Sequence, residues 1–181
     1  NALAMGDKTQ AAVTTYGWGD AAEWVAEEYQ LTTREDNAFE SNEQLAAIQF
    51  TVRNRKSEEA GTHVVLNDAL GRPQASIVLA AIAVANYFGI TTKEAVEVLQ
   101  KTYTSPPGRM KPLHGIKGSL IIDDSYNAAP ASMQASLDVL QDFHPVEGAR
   151  RIAVLGEMAE LGIHADADHF RISTLKLLDG V

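Results

Sequence analysis

The chain has 181 residues, of which 45% are hydrophobic and 22% charged, a globular composition that excludes disordered and fibrous proteins. Its 15 basic and 24 acidic residues give a net charge of -9 without a basic tract, which disfavours nucleic acid and anionic membranes as partners. Cysteine is absent and no apolar run reaches the roughly 18 residues of a membrane span, so thiol chemistry is excluded and a cytoplasmic protein is expected.

The first part of the chain reads mainly as strands. Residues 11–16 form a short β-prone run, residues 23–29 suit a strand or a helix, and the acidic stretch 32–43 is predicted to be a solvated loop. Residues 45–52 alternate between apolar and polar, and residues 62–66 are β-branched and apolar. Because a charged turn separates the last two runs, we predict a hairpin.

Two helices are predicted next. Residues 76–88 are rich in Ala, Ile, Leu and Val, contain no Gly or Pro, and stop at Gly89, which suits the position after a helix end. Thr91 and Glu94 have the spacing of a capping box, in which each residue satisfies a backbone amide of the other. A second helix therefore begins directly after the first.

Residues 104–108 read T-S-P-P-G and are the strongest break in the chain, because proline removes backbone donors and fixes φ. We place a domain boundary there, which gives domains at residues 1–105 and 106–181. Each domain carries its own mixture of predicted strands and helices. The expected fold class is therefore α/β.

The second domain is predicted to have the order β-β-α-β-α. Residues 111–114 and 120–122 are strands around a glycine turn, and Pro130 suits the first turn of a helix. Residues 152–155 read as a buried strand, and residues 165–178 as an amphipathic helix. Alternating strands and helices of this kind predict a mostly parallel sheet.

Asp123 and Asp124 follow an apolar strand and precede a helix. In open α/β sheets, ligands bind outside the carboxyl ends of the strands, which is where these carboxylates are expected. Such a carboxylate can hold a ribose hydroxyl or a metal-bound nucleotide, or it can cap the following loop. The pair alone does not choose between these interpretations.

Three longer motifs carry a resemblance to the Mur ligase family. Residues 123–130 read D-D-S-Y-N-A-A-P and resemble that family's D-D-S-Y-N-A-N-P signature. Residues 107–110, P-G-R-M, resemble the P-G-R-[LMF] that opens its C-terminal domain, and residues 153–162, A-V-L-G-E-M-A-E-L-G, are similar to A-V-L-G-D-M-x-E-L-G. These motifs are most similar to those of the members that add D-alanyl-D-alanine to a UDP-N-acetylmuramoyl tripeptide.

The resemblance implies a fold and an activity. The fold would be the second part of a central ATPase domain followed by the first part of a Rossmann-like C-terminal domain. The activity would be an ATP- and Mg²⁺-dependent amide ligation in peptidoglycan precursor synthesis. A substrate carboxylate would attack the γ-phosphate of ATP, and the amine of D-alanyl-D-alanine would displace phosphate from the acyl phosphate.

The resemblance also implies roles for five residues of the second domain. Arg109 would bind and stabilise the phosphates, since a planar and permanently charged guanidinium suits a transferring phosphoryl group. Asp124 would bind the ribose or the metal-bound nucleotide, and with Arg109 it is a candidate catalytic residue. Asn127 would orient the nucleotide-binding loop or the substrate. Ser125 and Tyr126 are candidate substrate-binding residues.

Some positions depart from the family pattern. Where the family has G-x-H-N-x-x-N, residues 71–77 read G-R-P-Q-A-S-I, so that Pro73 and Ile77 replace polar residues. Gln74 keeps an amide that could pair with adenine, or it is a polar residue at the start of a helix. Ala129 stands where the signature has its second Asn, so the role of that side chain is lost.

The family's phosphate-binding loop, G-x-x-G-K-[ST], has no counterpart in this sequence. Residues 6–9 read G-D-K-T, in which Asp7 separates the glycine from the lysine, so a solvated loop is the better interpretation. Because the chain also begins with Asn1 rather than Met, we expect a piece of a longer protein whose magnesium ligands lie mostly elsewhere. These residues alone are expected to lack ligase activity.

A metal site is not predicted. His164, Asp166, Asp168 and His169 are close in sequence, but only residues 164 and 168 share a helical face, which favours a solvated helix start.

Three rival functions remain open. They are another ligase of the superfamily, such as a folylpolyglutamate or cyanophycin-type synthetase, a non-catalytic nucleotide-binding or interaction module, and a phosphatase. The first group lacks the S-Y-N of the signature. The last would need a D-x-D pattern, whereas adjacent aspartates on a strand point to opposite faces.

Overall fold

The computed structural model describes residue 6 and residues 8–33, 44–144 and 147–174. In these ranges the strands are β1 (Tyr16–Gly17), β2 (Trp24–Thr33), β3 (Ala46–Asn54), β4 (Thr62–Asn67), β5 (Lys111–His114) and β6 (Leu120–Asp123). The helices are α1 (Gly71–Tyr87), α2 (Thr92–Thr102), α3 (Pro130–Asp142) and α4 (Ala165–Ser173). Short 3-10 turns lie at Ile116–Gly118 and Gly162–His164. The mixture of strands and helices confirms the α/β class, and no described helix is long and apolar enough to cross a membrane.

The chain divides into two compact units, each built from several segments. The first comprises residues 1–30, 48–67 and 73–103, and the second comprises residues 31–47, 68–72 and 104–181. The domain boundary predicted between residues 105 and 106 falls in irregular chain between α2 and β5. That boundary stays a prediction.

Strands β1 to β4 form one sheet in the order β1-β2-β3-β4, and β1 and β2 pair in parallel with Tyr16 opposite Trp24. The β-prone run 11–16 is therefore a strand only at its last residue, while the ambiguous run 23–29 is a strand. β3 and β4 are neighbours, as the hairpin prediction requires. Of the predicted loop 32–43, Thr32 and Thr33 belong to β2, and residues 34–43 lie outside the described residues.

The core of the first unit is formed by side chains of β2, β3, β4 and α1. Its largest fully buried members are Val25, Ile48, Phe50, Val52, Val64, Leu66, Val78, Leu79 and Ile82. Burial of a large apolar side chain contributes about 1.5–3 kcal/mol, so this set accounts for much of the unit's stability. Lys8 and Thr9, by contrast, lie exposed next to a turn, and Asp7 of the same G-D-K-T run lies outside the described residues.

Helix α1 begins at Gly71, five residues before the predicted start. Pro73 does not prevent this, because a proline in the first turn removes an amide that has no partner inside the helix. The capping box of α2 is confirmed, since Glu94 N donates to Thr91 Oγ1 over 3.2 Å and Thr91 N donates to Glu94 Oε2 over 2.9 Å. The Thr91 hydroxyl, which donates to Glu94 Oε2 over 2.6 Å, and then the Thr91 amide lower the pKa of Glu94 below its ordinary value.

In the second unit, β5 and β6 form an antiparallel hairpin with Lys111 opposite Asp123 and Leu113 opposite Ile121. Two apolar clusters lie in this unit. One joins Ala46, Leu70, Met110 and Val139, and the other joins Met133, Leu137, Met158 and Ile172. The clusters hold α3 from two sides, because Val139 belongs to the first and Met133 and Leu137 to the second.

Two expectations for the second unit are wrong. The predicted buried strand at 152–155 is irregular chain, and its Val154 side chain is 92% exposed. An apolar run becomes a strand only where a neighbouring strand completes its hydrogen bonds, and no described strand pairs with this run. The described sheet of this unit is consequently the antiparallel hairpin and not a mostly parallel sheet. The predicted helix at 165–178 is confirmed as far as Ser173, and residues 175–178 lie outside the described residues.

Candidate functional site

The turn that precedes β5 is closed against the loop that follows β6. Gly108 is buried, and its amide donates to Asp123 Oδ2 over 3.1 Å, while its carbonyl accepts from Tyr126 N over 3.1 Å. Its φ of +69° is one that residues with a side chain rarely adopt. A Cβ at this position would come within 2.9 Å of Tyr126 N. Glycine is therefore required twice, by the backbone conformation and by the close approach of the loop.

Asp124 joins the same turn to helix α3. Its Oδ1 accepts from Met110 N over 3.1 Å, and its Oδ2 accepts a short hydrogen bond from the Ser136 hydroxyl. Met110 has a φ of +49° and is buried in the first apolar cluster of the unit. The carboxylate thus fixes the strand end, the turn and the helix with respect to one another.

Asp123 organises the start of the loop. Its Oδ1 accepts from both the hydroxyl of Ser125, over 2.6 Å, and the amide of Ser125, over 3.2 Å. The Ser125 hydroxyl is the main reason that the pKa of Asp123 lies below its ordinary value, and the Ser125 and Gly108 amides add to the effect. The group is consequently a carboxylate at neutral pH, which suits its role as an acceptor.

Arg109 is exposed at the tip of the turn, and its guanidinium carbon lies 4.2 Å from the centre of the Tyr126 ring. A cation at this distance from an aromatic face is attracted by the ring quadrupole. The Tyr126 side chain is itself 70% exposed. The pair therefore presents a fixed positive charge beside a planar ring at the protein surface.

Asn127 is also exposed, and its Oδ1 accepts from the amide of Ala128 over 2.9 Å. Ala129 follows, at the position where α3 begins. Its amide donates to Ser132 Oγ over 3.1 Å, and its own side chain makes no capping hydrogen bond to the helix. The loop from Ser125 to Ala129 therefore carries exposed polar groups between two fixed ends.

Gln74 belongs to the first compact unit, whereas the other five predicted site residues belong to the second. It is buried, and its Oε1 accepts a short hydrogen bond from the Tyr103 hydroxyl. The structure thus gives Gln74 a contact inside its own unit. Its predicted pairing with adenine stays a prediction.

The acidic and histidine residues near α4 make separate contacts. Asp168 forms an ion pair of 3.4 Å with Arg171, and His169 bonds to the amide of Met158 and to the carbonyl of Ala165. In the described part of the chain, no group of three or more His, Asp or Glu side chains is arranged to hold a metal ion.

Comparison with known proteins agrees with this arrangement of motifs. Residues 108–177 match the family model of the Mur ligase glutamate ligase domain. The UDP-N-acetylmuramoyl-tripeptide--D-alanyl-D-alanine ligase of Mycobacterium leprae is 35% identical over 145 residues, which are 75% of this chain and 28% of that protein. The chain belongs to the Mur ligase family.

Two further comparisons extend the match. The Escherichia coli K12 ligase of the same name is 29% identical over 172 residues, covering 90% of this chain and 36% of the relative. A crystal structure of MurF from Acinetobacter baumannii is similar in fold, with a TM-score of 0.66 at 24% identity, over 88% of this chain and 30% of that one. The chain therefore spans about a third of the length of these Mur ligases.

The structure also identifies residues that the sequence analysis did not assign to the site. Ser136 holds Asp124, and Gly108 closes the turn around Arg109. Gly108 had a signal in the sequence, because a glycine after two prolines indicates a turn. Ser136 had none, since a serine within a helix is uninformative until the helix is placed beside the strand end.

Proposed function

We propose that the chain is part of an ATP-dependent amide ligase of peptidoglycan precursor synthesis, which adds D-alanyl-D-alanine to a UDP-N-acetylmuramoyl tripeptide. The proposal applies to the complete Mur ligase. It is supported by the names of the relatives and by one structural observation, the closed unit formed by the turn at 108–110 and the loop at 123–127. A cytoplasmic location is part of the proposal, since ATP and the UDP-linked acceptor are used together.

Arg109 is the residue whose placement carries the proposal. Gly108 and Met110 on either side of it are each bonded to a carboxylate, so the backbone that bears the guanidinium is fixed. The charge itself remains exposed beside Tyr126. A preorganised cation of this kind stabilises negative charge that develops on a transferring phosphoryl group, because it does not have to reorganise during the reaction.

Asp123 and Asp124 have different roles in this proposal. Asp123 holds the loop through Ser125 and Gly108, whereas Asp124 can accept a further hydrogen bond, because each carboxylate oxygen has two lone pairs. A ribose hydroxyl would suit Asp124. Tyr126 offers a flat face and Asn127 a polar amide, which would contact nucleotide or substrate. Gln74 is a separate candidate for an adenine contact.

The donors in the described residues fit ATP better than they fit Mg²⁺. Arg109 supplies charge for phosphates, but the described residues contain no cluster of three carboxylate or imidazole ligands. The ligands of Mg²⁺ would then lie mostly in other parts of the complete ligase.

The proposal is tested by phosphate release from the full-length ligase that contains these residues. ATP hydrolysis should require both the UDP-N-acetylmuramoyl tripeptide and D-alanyl-D-alanine, and the product should be heavier than the acceptor by one dipeptide less one water. The matched control replaces D-alanyl-D-alanine with a single amino acid, which should not be added. Ligation of glutamate to a folate acceptor, or no substrate-dependent phosphate release, would contradict the proposal.

A further inference from the structure

The segment at 156–162 is the second part of the third family motif, and side chains of α3 and α4 contact it at Met158. The Met158 side chain is buried among Met133, Leu137 and Ile172, and the Met158 amide lies 3.0 Å from His169 Nε2. The flanking residues Glu157 and Ala159 are exposed. The path of this irregular chain thus depends on the packing of the Met158 side chain and on the hydrogen bond of its amide.

The contacts of His169 define its protonation state. Because an amide N–H can only donate, Nε2 must be the unprotonated acceptor of the Met158 bond. Nδ1 then carries the proton and donates it to the carbonyl of Ala165 over 2.8 Å. A protonated imidazole would face the Met158 amide with a second donor, and that hydrogen bond would be lost.

The backbone near this attachment point is also held in an uncommon conformation. Glu160 has a φ of +63°, in the left-handed region that residues with a side chain occupy at an energetic cost. Such a conformation persists only where surrounding contacts enforce it. Met158, two residues earlier, is the buried anchor that can enforce it.

We propose that His169 is a positioning residue for the motif at 156–162, which it holds as the neutral Nδ1–H tautomer and releases on protonation. The contacts of His169 and Met158 support this role in holding the backbone. Its consequence for turnover rests on the proposed ligase function. His169 acts through Met158 and is not itself a catalytic residue.

Two elements that contact His169, its own helix and the motif, carry charged residues. Its own helix carries Asp166, Asp168 and Arg171, and the motif carries Glu157 and Glu160. Helix α3 contributes the apolar Met133 to the cavity that His169 also lines, and no charged residue of α3 is among the described residues of that lining. The imidazole is thus the group whose protonation breaks the bond to the Met158 amide.

The first test measures the hydrogen-exchange protection factor of the Met158 amide by NMR in the 181-residue chain. Protection should be about fivefold lower at pH 5 than at pH 8, which is the effect of losing one hydrogen bond. The amide of Tyr103, which donates to Leu99 O in the first unit, is the control and should not change. Protection of Met158 that is equal at both pH values would overturn the proposal.

Two variants separate the two ring nitrogens. His169→Gln can place an acceptor near the position of Nε2, so protection of Met158 should be retained and should no longer depend on pH. His169→Asn keeps only a donor near the position of Nδ1, so protection should be low at both pH values. Equal behaviour of the two variants would contradict the assignment.

Because both variants could fail to fold, the ring ¹⁵N shifts of His169 in the unmodified chain provide a second measurement. The Nδ1–H tautomer is expected at pH 8, and the Nε2–H tautomer would overturn the proposal. In the full-length ligase, turnover should follow the same order, with Gln above Asn. Loss of this order while the NMR results stand would count against the proposed function and not against the positioning role.

Discussion

The turn and loop at 108–127 and the segment at 152–162 match family motifs equally well but are held in different ways. In the first region, the backbone of Gly108 and Met110 is bonded to two carboxylates, and the loop returns to the turn through Tyr126 N. In the second, Met158 is the buried residue, while Val154 is 92% exposed. A match to a family motif therefore does not show whether the residues of the motif are ordered. Their order depends on the local hydrogen bonds.

The difference has a chemical reason. Asp123 and Asp124 are acceptors within the motif, so the first region closes with side chains of its own sequence and with Ser136. The second motif is mainly apolar, and apolar residues are ordered only by the surfaces that cover them. The second region is consequently more sensitive to loss of a single contact.

Substitutions at Met158 and Val154 test how the second region is held. Met158→Ala should lower the free energy of unfolding by about 3 kcal/mol, because it removes a buried side chain and leaves a cavity between α3 and α4. Val154→Ala, in the same segment, should change it by less than about 0.5 kcal/mol, since exposed side chains contribute little. Urea denaturation of the two variants checks this prediction, and similar losses would mean that the segment has more than one anchor.

Arg109→Ala should reduce turnover of the full-length ligase by about 10²-fold, comparable to the loss of one preorganised donor to a developing charge. Folding should be unaffected, because the side chain is exposed. Arg109→Lys should restore only part of the activity, since lysine lacks the planar fork. Steady-state kinetics provide the measurement, with the exposed Arg150→Ala as control, and near-normal turnover of Arg109→Ala would rule out its proposed role.

Gly108→Ala should destabilise the second unit by about 2 kcal/mol or more, since strain at positive φ adds to the contact with Tyr126 N at 2.9 Å. Gly148→Ala is the matched control, because Gly148 has a φ of +82° but no atom within 4 Å of the added Cβ. It should cost only about 1 kcal/mol, from strain alone. Thermal unfolding of the two variants compares them, and equal losses would show that the loop does not approach the turn closely.

Ser136→Ala should cost about 1 kcal/mol, because Asp124 loses a hydrogen-bond donor while keeping the Met110 amide. Ser173→Ala serves as the control, since within the described residues the Ser173 hydroxyl bonds to the carbonyl of Phe170 on its own helix. Its effect should be within about 0.5 kcal/mol. If chemical denaturation gives equal values, Asp124 does not depend on α3.

The smallest effects concern pH and have opposite signs. The pKa of Asp123 is lowered in the folded protein, so its contribution to stability is present above the unfolded pKa and is lost as the pH falls through the folded pKa. The pKa of Asp142 is raised, first by burial and then by Asp138, so its ionised form opposes folding above that pKa and the opposition disappears on protonation.

Carboxyl ¹³C shifts measured against pH test both signs. Ser125→Ala should raise the pKa of Asp123 toward its ordinary value, because the Ser125 hydroxyl is the largest cause of the shift. Asp142 should be unaffected in this variant and serves as the internal control. A pKa of Asp123 that does not move would mean that Gly108 N and the surrounding charge determine it instead.

Elements whose signals are local could be predicted from the amino-acid sequence. The capping box of Thr91 and Glu94, the strands at 111–114 and 120–123 and the turn at Gly108 need only neighbours along the chain, and each was predictable from propensity and spacing. The family motifs further supplied Arg109, Asp124 and Asn127 as candidates. The motif includes the end of a strand, and this strand end determines the local surroundings of the three residues.

Contacts between residues that are distant in sequence became visible in the folded structure. It placed Ser136 on Asp124 and His169 on Met158, pairs separated by 12 and 11 positions whose contacts depend on where a helix packs. It also gave residues 152–155 no partner among the described strands, although their apolar pattern predicted a strand. Hydrogen-bond ladders and packed surfaces need a second element, and a pattern along one segment carries no information about which element that will be.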